Sequence, residues 1–536
     1  MENIKKMYYH TRHIPERQLN LDTPMGADVK RNGLCDVMRE PYVSCMRDYN
    51  IDVVETRLVW WEWETQPGVF DFSALRADMK DIRDNGFGVG VFPWFMHPPK
   101  WESEMVRAKC LEHGEESTIP SLWDSRLLEH YDRLYAALAA EMRDEIDFLY
   151  ICIYGDFGEP QYPHDTKHYK FSAPHAHFGL WCGDDLARAD FKRVLTEKYG
   201  TIEALNAAWG TVHKSFDEDM MELIENINFR QDFQKWYSDS LMIFMDKACA
   251  IARKHFPDTR MGVPIGCKSD SLNFGQTKSE VSKLCAKYNI LSRCTTLSNF
   301  PDFAHSNIVT RRIATASQFY GAEYGVESPL VQDERRAYIA VYQFITSSTV
   351  LVHDDPGNIY RAKDVFFKYR NLPGAMPFIC DTAVYYSVEE EKCYPKCGMS
   401  GFATVATNDT EFCPYWMFDE LAELRYFTDY DIVDRLLIED GFLDKCPRRL
   451  ILTRNTKIER EAADMIAAFS ENGGQVLYVK NAPPTILETG EVFLCGEAID
   501  GYNCLGTFNR GVFTTDHGDR ISRFDERQGE ITIEMK

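Results

Sequence analysis

The chain has 536 residues, 44% of them apolar and 13% aromatic, and its 83 acidic against 60 basic residues give a net charge of −23. That length exceeds one ordinary core, so a globular protein of two or three domains is expected. The negative charge opposes binding to phosphate backbones or anionic lipid, so no nucleic-acid or membrane partner is expected, and a neutral or cationic ligand fits better.

The N-terminal stretch MENIKKMYYHTRHIPERQLN carries no apolar signal core, and no run reaches the about 18 apolar residues of a membrane span. A cytoplasmic protein is the expectation. The 16 cysteines are scattered without small-domain spacing, which agrees with reduced thiols. Cys380, Cys393, Cys397 and Cys413 are the densest cluster, but their spacings lack paired CxxC knuckles, so no metal and no cofactor is expected. For the first strand the best candidate is Gln18 to Ala27.

The first firm strand is Val53 to Trp63, VVETRLVWWEW. Helix Ser73 to Asn85 follows, closed by Gly86 as its C′ residue. A second strand, Gly88 to Phe95, empties into His97-Pro98-Pro99-Lys100-Trp101. After a helix over 126–144, the apolar run Phe148 to Ile153 leads into YGDFGEPQYPH, which places Glu159 between Gly158 and Pro160 in a Gly-rich turn. Further strands are predicted near 260–266, 290–296, 318–326 and 348–354. Strands alternating with helices over this length imply a parallel sheet, and eight such units close a (β/α)8 TIM barrel, here spanning 1–376.

From about residue 377 the pattern changes. Short apolar strands at Thr382 to Ser387, Arg449 to Leu452 and Gln475 to Lys480, with an amphipathic helix at Glu459 to Asn472, predict a smaller doubly wound α/β domain over 377–495. A short β tail is expected over 496–536. No GxGxxG loop or nucleophile elbow marks a second active site.

In a barrel the polar residues at the C-terminal strand ends carry the chemistry. These ends gather Arg57 with Trp60 and Trp61, Trp94 and His97, Asp156 and Glu159, Arg293, and Glu323 with Glu327. Carboxylates among tryptophans are what glycoside hydrolysis needs: one acid for the leaving oxygen and a second carboxylate for the anomeric centre.

Three strings support a family resemblance. RLVWWEWETQPGVFDF and FPWFMHPPKW resemble the second- and third-strand exits of family 42 glycoside hydrolases, the β-galactosidase-like members of clan A. FKRVLTEKYGTIEALNAAWGT is similar to a helix-turn of the same enzymes. Clan A enzymes have Asn-Glu where this chain has Gly158-Glu159, so a divergent relative, such as a β-mannosidase-like one, is an option. GDFGEPQYP also resembles the GxxGExxYP string of β-amylases, which are inverting α-glucan hydrolases on the same barrel.

The clan resemblance implies a retaining β-glycosidase, and exo-action on short oligosaccharides is the expectation for an intracellular enzyme, because polymers do not cross the membrane. It makes Glu159 the acid/base and puts the nucleophile at the end of strand seven. Glu327 is favoured there, at the end of a strand read as Phe319 to Val326, with Ser328-Pro329 starting a helix over 329–347. Glu323 is the alternative. Arg57 is expected to hold the nucleophile ionised. Trp61, Trp94, Trp123 and Trp181 are candidate stacking platforms, and His97, Asp124, Asp156, Tyr162 and Arg293 are candidate hydroxyl ligands. The second domain resembles the amidotransferase-like (flavodoxin-like) unit that builds family 42 trimers, so a homotrimer is implied. The rival readings are an inverting β-amylase-like hydrolase, a carbohydrate-binding barrel without catalysis, and a metal-assisted hydrolase.

Overall fold

The structure is a computed structural model. It describes residues 6–10, 38, 40–48, 51–163, 179–219, 221, 227–266, 274–295, 303–327, 351–354, 363–369, 380–388, 421–422, 424–425, 429–445, 447–453, 456–478, 484–487, 522–525 and 530–533.

Eight parallel strands close a barrel: β1 (Lys6–His10), β2 (Val53–Val59), β3 (Gly88–Trp94), β4 (Phe148–Tyr150), β5 (Arg260–Ile265), β6 (Leu291–Thr295), β7 (Tyr324–Glu327) and β8 (Leu351–Asp354). Neighbours in sequence are neighbours in space, and β1 pairs with both β2 and β8. The first strand is therefore Lys6–His10, upstream of the expected Gln18 to Ala27, which falls outside the described residues. The seventh strand is also shorter than its sequence suggests. Residues 303–320 are helical, Gly321 turns the chain at a φ of 80°, and the strand begins only at Tyr324. Ser328-Pro329 and the helix expected at 329–347 lie outside the described residues.

Side chains alternate between helices and barrel axis. On β2, Thr56 donates to Asp78 of the helix Ser73–Asp84 at 2.7 Å, so Thr56 faces outward while Glu55 and Arg57 face the axis. Small residues hollow the interior where rings fill it. A Cβ on Gly262 would stand 2.7 Å from the Phe148 ring and 3.1 Å from that of Tyr150, and one on Gly90 would stand 3.1 Å from Val53. This is the close side-chain layering that makes a small barrel a packed core rather than a pore.

The string FKRVLTEKYGTIEALNAAWGT forms two helices, Asp185–Tyr199 and Ile202–Trp209. Asp184 caps the first and Thr201 the second, and Gly200 and Gly210 end them with positive φ, as C-terminal caps require. The pair docks on the long helix Ile227–His255 through Trp209 Nε1, which donates to Asp232 at 2.8 Å. It braces the outside of the barrel.

A second parallel sheet has the order Asp431–Val433, Thr382–Tyr385, Arg449–Leu452, Gln475–Tyr478, with the helix Arg460–Glu471 beside it. Its core (Val433, Leu437, Leu450, Ile466, Val476) includes Ala316 from the barrel helix 303–320. From that helix Arg311 runs fully buried to the second sheet. It pairs with Asp429 at 2.8 Å, approaches Asp431 at 3.7 Å and donates to the Tyr430 carbonyl, while Arg425 also reaches Asp429 at 3.1 Å. Burial pushes the Asp431 carboxyl up to about 6 despite Arg311. Arg311→Leu leaves two buried carboxylates short of a cation and is expected to cost about 3–5 kcal/mol. Urea unfolding of the variant against the wild type measures this, and a loss below about 1 kcal/mol would show that the ion cluster does not join barrel and sheet.

At the C-terminal end Ser522–Asp525 and Glu530–Ile533 form an antiparallel pair. Among the described residues no helix is long and apolar enough to cross a membrane, and no three His, Cys, Asp or Glu side chains gather as a metal-holding group. Cys393, Cys397 and Cys413 lie outside those residues.

Candidate active site

The acid loop follows β4 and is held by its own backbone. Ile153 N–H donates to Gly158 O at 2.8 Å, Tyr154 N–H to Glu159 O at 3.1 Å, and Gln161 N–H to Glu159 O at 2.8 Å. Gly155 and Gly158 adopt φ values of 53° and 77°, in the region that glycine enters without steric cost. Both are also crowded: a Cβ on Gly155 would lie 2.8 Å from Gln161 Cγ, and one on Gly158 would lie 3.3 Å from the Phe92 ring. The loop delivers Glu159, 8% exposed, to the C-terminal rim, where its Oε2 accepts from Gln161 Nε2 at 2.8 Å.

Glu327 ends β7 at the same rim, in register with Thr295 of β6 and His353 of β8. Its carboxylate forms an ion pair with Arg293, whose guanidinium is itself buried and stands 5.2 Å from the centre of the Tyr150 ring. Burial works against the charge of Arg293. The charges of Glu327, then Tyr150, Glu159 and Glu55, outweigh it, so the guanidinium's pKa is raised. Glu159, Glu327, Glu55 and Arg293 thus share one electrostatic neighbourhood. The guanidinium placed on Glu327 is that of Arg293, where the sequence suggested Arg57; Arg57 stacks on Trp94 with Cζ 4.4 Å from the ring centre.

Aromatic side chains line the β2–β4 side. His97 sits against Trp61 (5.7 Å between centroids) and Trp94 (6.1 Å), and Phe157 meets Trp94 edge-on at 5.8 Å. His97 Nε2 lies 3.0 Å from the Asp156 carbonyl. A carbonyl can only accept, so Nε2 carries the proton. Burial pushes the ring down to about 3, with the charge of Arg57 adding to the effect and the carbonyl bond opposing it.

His97 is thus neutral when folded, whereas an unfolded His binds a proton below about 6.5. Folding stability tied to this residue is therefore present above pH 6.5 and falls as the pH drops toward 3. At pH 5 the loss is about 2 kcal/mol. His97→Gln, compared with wild type by denaturant unfolding at pH 7 and pH 5, is expected to shrink the pH-dependent loss by that amount. Equal losses in the two proteins would contradict it.

Several expected ligands belong to the wall instead. Trp181 is fully buried, and its backbone N–H donates to the Tyr237 hydroxyl at 3.0 Å. Trp123 lies parallel to Trp236 at 4.9 Å and to Tyr162 at 6.0 Å, so protein rings engage it. Tyr162 stacks on Tyr237 at 3.7 Å and donates its hydroxyl to the Tyr237 carbonyl. Asp124 caps the helix Ser125–Met142, accepts from the Val106 amide and pairs with Arg126; these bonds outweigh burial and lower its pKa.

Glu323 precedes β7 at the opposite end of the barrel. It is half exposed and pairs with Arg260, the first residue of β5, at 2.7 Å, so it cannot share a substrate with Glu159. Trp61, Trp94, His97, Asp156, Arg57 and Arg293 remain with the two glutamates. Sequence reasoning missed Gln161, Glu55 and Gly266. The signal for Gly266 was a glycine directly after an apolar strand, which marks close approach by another group.

The family model described as Glycosyl hydrolase family 14 matches residues 100–289, which include the whole acid loop. The thermophilic β-amylase of Thermoanaerobacterium thermosulfurigenes is 29% identical over 265 residues, 43% of this chain and 47% of that protein. The β-amylase of Niallia circulans is 30% identical over 248 residues, 40% of this chain and 42% of that protein. The chain thus spans less than half the length of these relatives. Among solved structures, the catalytic domain of β-amylase from Paenibacillus polymyxa is similar with a TM-score of 0.55 at 16% identity, covering 70% of this chain and 100% of that one. The β-galactosidase of Halorubrum lacusprofundi gives a TM-score of 0.63 at 14% identity, covering 91% and 74%. These solved structures share the barrel fold with this chain. Both sequence comparisons match this chain to O-glycosyl hydrolases.

Proposed function

We propose that the barrel hydrolyses an α-glucan with inversion. Glu159 protonates the departing glycosidic oxygen, while Glu327 takes a proton from the water that attacks the opposite face of the anomeric carbon. Water is added across the bond, and exchange with solvent restores both carboxyls. An inverting pair stands about 6.5–9.5 Å apart to admit that water.

The observation that carries this reading is the position of the acid loop: Glu159 and its two positive-φ glycines lie inside the segment matched by the glycosyl hydrolase family 14 model. Glu327 lies beyond that segment and is assigned on geometry, as the half-buried rim carboxylate paired with Arg293. A base must be ionised and an acid protonated, and unequal surroundings are what separate two carboxyls in this way. Trp61, half-buried at the β2 exit beside His97, is the proposed stacking platform.

A second reading, a retaining β-glycosidase with Glu327 as nucleophile, draws on the β-galactosidase structures, which cover 91–92% of this chain, second sheet included. The trimer implied by the family 42 resemblance belongs to that reading. The test is hydrolysis of soluble starch and α-linked glucose oligosaccharides beside aryl β-galactosides and β-mannosides. Sugar release from the α-glucans supports the first reading, and release from one β-glycoside supports the second. Glycan binding without release from any substrate would leave a carbohydrate-binding barrel.

A further inference from the structure

We propose that Gly266 and Gln161 are positioning residues that together form a seat for the Glu159 carboxyl, fixing which of its oxygens delivers the proton. The proposal rests on Glu159 being the general acid.

Gly266 directly follows β5, on the inward side shared with Gly262 and Pro264. A Cβ built there would lie 2.5 Å from Glu159 Cδ and 2.5 Å from each of its carboxyl oxygens, and these are its three nearest atoms. The carboxyl therefore occupies the space that any other residue would fill. The φ of Gly266 lies outside the left-handed region, so the backbone does not itself demand glycine, and the nearest obstacle to a side chain is the acid. Gln276 Nε2 donates to the Gly266 carbonyl at 3.1 Å and pins that backbone in place.

The second point of the seat is Gln161 Nε2, which donates to Glu159 Oε2 at 2.8 Å. An N–H held on Oε2 favours the carboxylic proton on Oε1. Gln161 is in turn placed by the glycine loop, because its Cγ occupies the space a Cβ on Gly155 would take. The chain thus uses one missing side chain and one amide to hold a flexible glutamate in a single orientation. Proton transfer is sensitive to such placement, because the acid must stand within hydrogen-bond reach of the leaving oxygen.

The test compares Gly266→Ala and Gln161→Leu with wild type on two substrates: an α-linked glucose oligosaccharide, whose sugar leaving group needs a proton, and the α-glycosyl fluoride of the same sugar, whose leaving group needs far less help. Both variants are expected to lose about 10²-fold in kcat on the oligosaccharide with KM little changed, and less than about 5-fold on the fluoride. Thermal unfolding is read alongside and is expected to match wild type for Gly266→Ala, since only the end of one side chain is displaced.

Equal losses on both substrates, or a large fall in thermal stability with no leaving-group dependence, would reduce the two residues to ordinary structural parts and overturn the proposal. Wild-type kinetics in both variants would overturn it as well. A wild type inactive on both substrates would overturn the α-glucan reading, and the same variants are then compared on an aryl β-galactoside with a poor leaving group and one with a good leaving group, where the absence of leaving-group dependence would overturn the seat.

Discussion

Glu159→Gln is expected to lower kcat on an α-linked oligosaccharide by about 10³-fold while KM stays within a few-fold. The glutamine is isosteric, so the loop bonds made by the backbone of residue 159 survive, and the site still closes around the sugar. What is lost is the proton for the departing oxygen. The same variant should therefore keep most of its activity on a glycosyl fluoride. Steady-state kinetics on the two substrates check this, and an unchanged kcat on the oligosaccharide would exclude Glu159 as the acid.

Glu327→Gln carries the other large effect, a fall of about 10³–10⁴-fold in kcat on both substrates, because an amide neither activates water nor attacks carbon. Leaving-group activation does not rescue it. The two variants therefore differ in the fluoride assay, and this separates acid from base without a structure of either.

Arg293 supplies a pH signature. Glu327 raises the pKa of Arg293, and the coupling is reciprocal, so the guanidinium favours the Glu327 carboxylate. Without it, Glu327 is protonated at higher pH, and the acidic limb of the kcat/KM profile in Arg293→Gln is expected to move upward. A limb that stays in place would assign the control of that carboxylate elsewhere.

Most of the barrel was legible because its inner strands are buried on both faces. VVETRLV, GVGVFPW and RMGVPI read as apolar runs between helical periods, with glycines and prolines as punctuation. The first strand was not legible: KMYYH is five residues with a charge at its start and a histidine at its end, and its apolar part is only three residues long. The seventh strand was read five residues too long at its start, because Phe319 and Tyr320 continue apolar helix into what resembles a strand. That shift drew Glu323 toward the rim, whereas the turn at Gly321 leaves it at the strand entrance beside Arg260.

The chemistry was legible in type and less so in partners. Glu159 stood out through its Gly-Glu-Pro turn, and Glu327 through its place after an apolar strand. The tryptophans were a weaker guide, since Trp123 packs against Trp236 and Tyr162, and Trp181 is buried in the core with its backbone N–H on the Tyr237 hydroxyl. Which guanidinium meets Glu327 depends on register across β6 and β7, and Arg293 sits two residues before Thr295, the residue level with Glu327. No spacing along the chain carries that information. Gly266 acts through a contact between the end of β5 and the β4 loop about a hundred residues away, and Gln161 through a side-chain bond within that loop.

The most direct test of the inverting two-carboxylate account is proton NMR of the first sugar released from an α-linked glucose oligosaccharide, recorded before mutarotation. The account predicts a β-configured reducing end that forms with wild type and disappears with both Glu159→Gln and Glu327→Gln. An α-configured product, or a β-configured one formed undiminished by either variant, would contradict it.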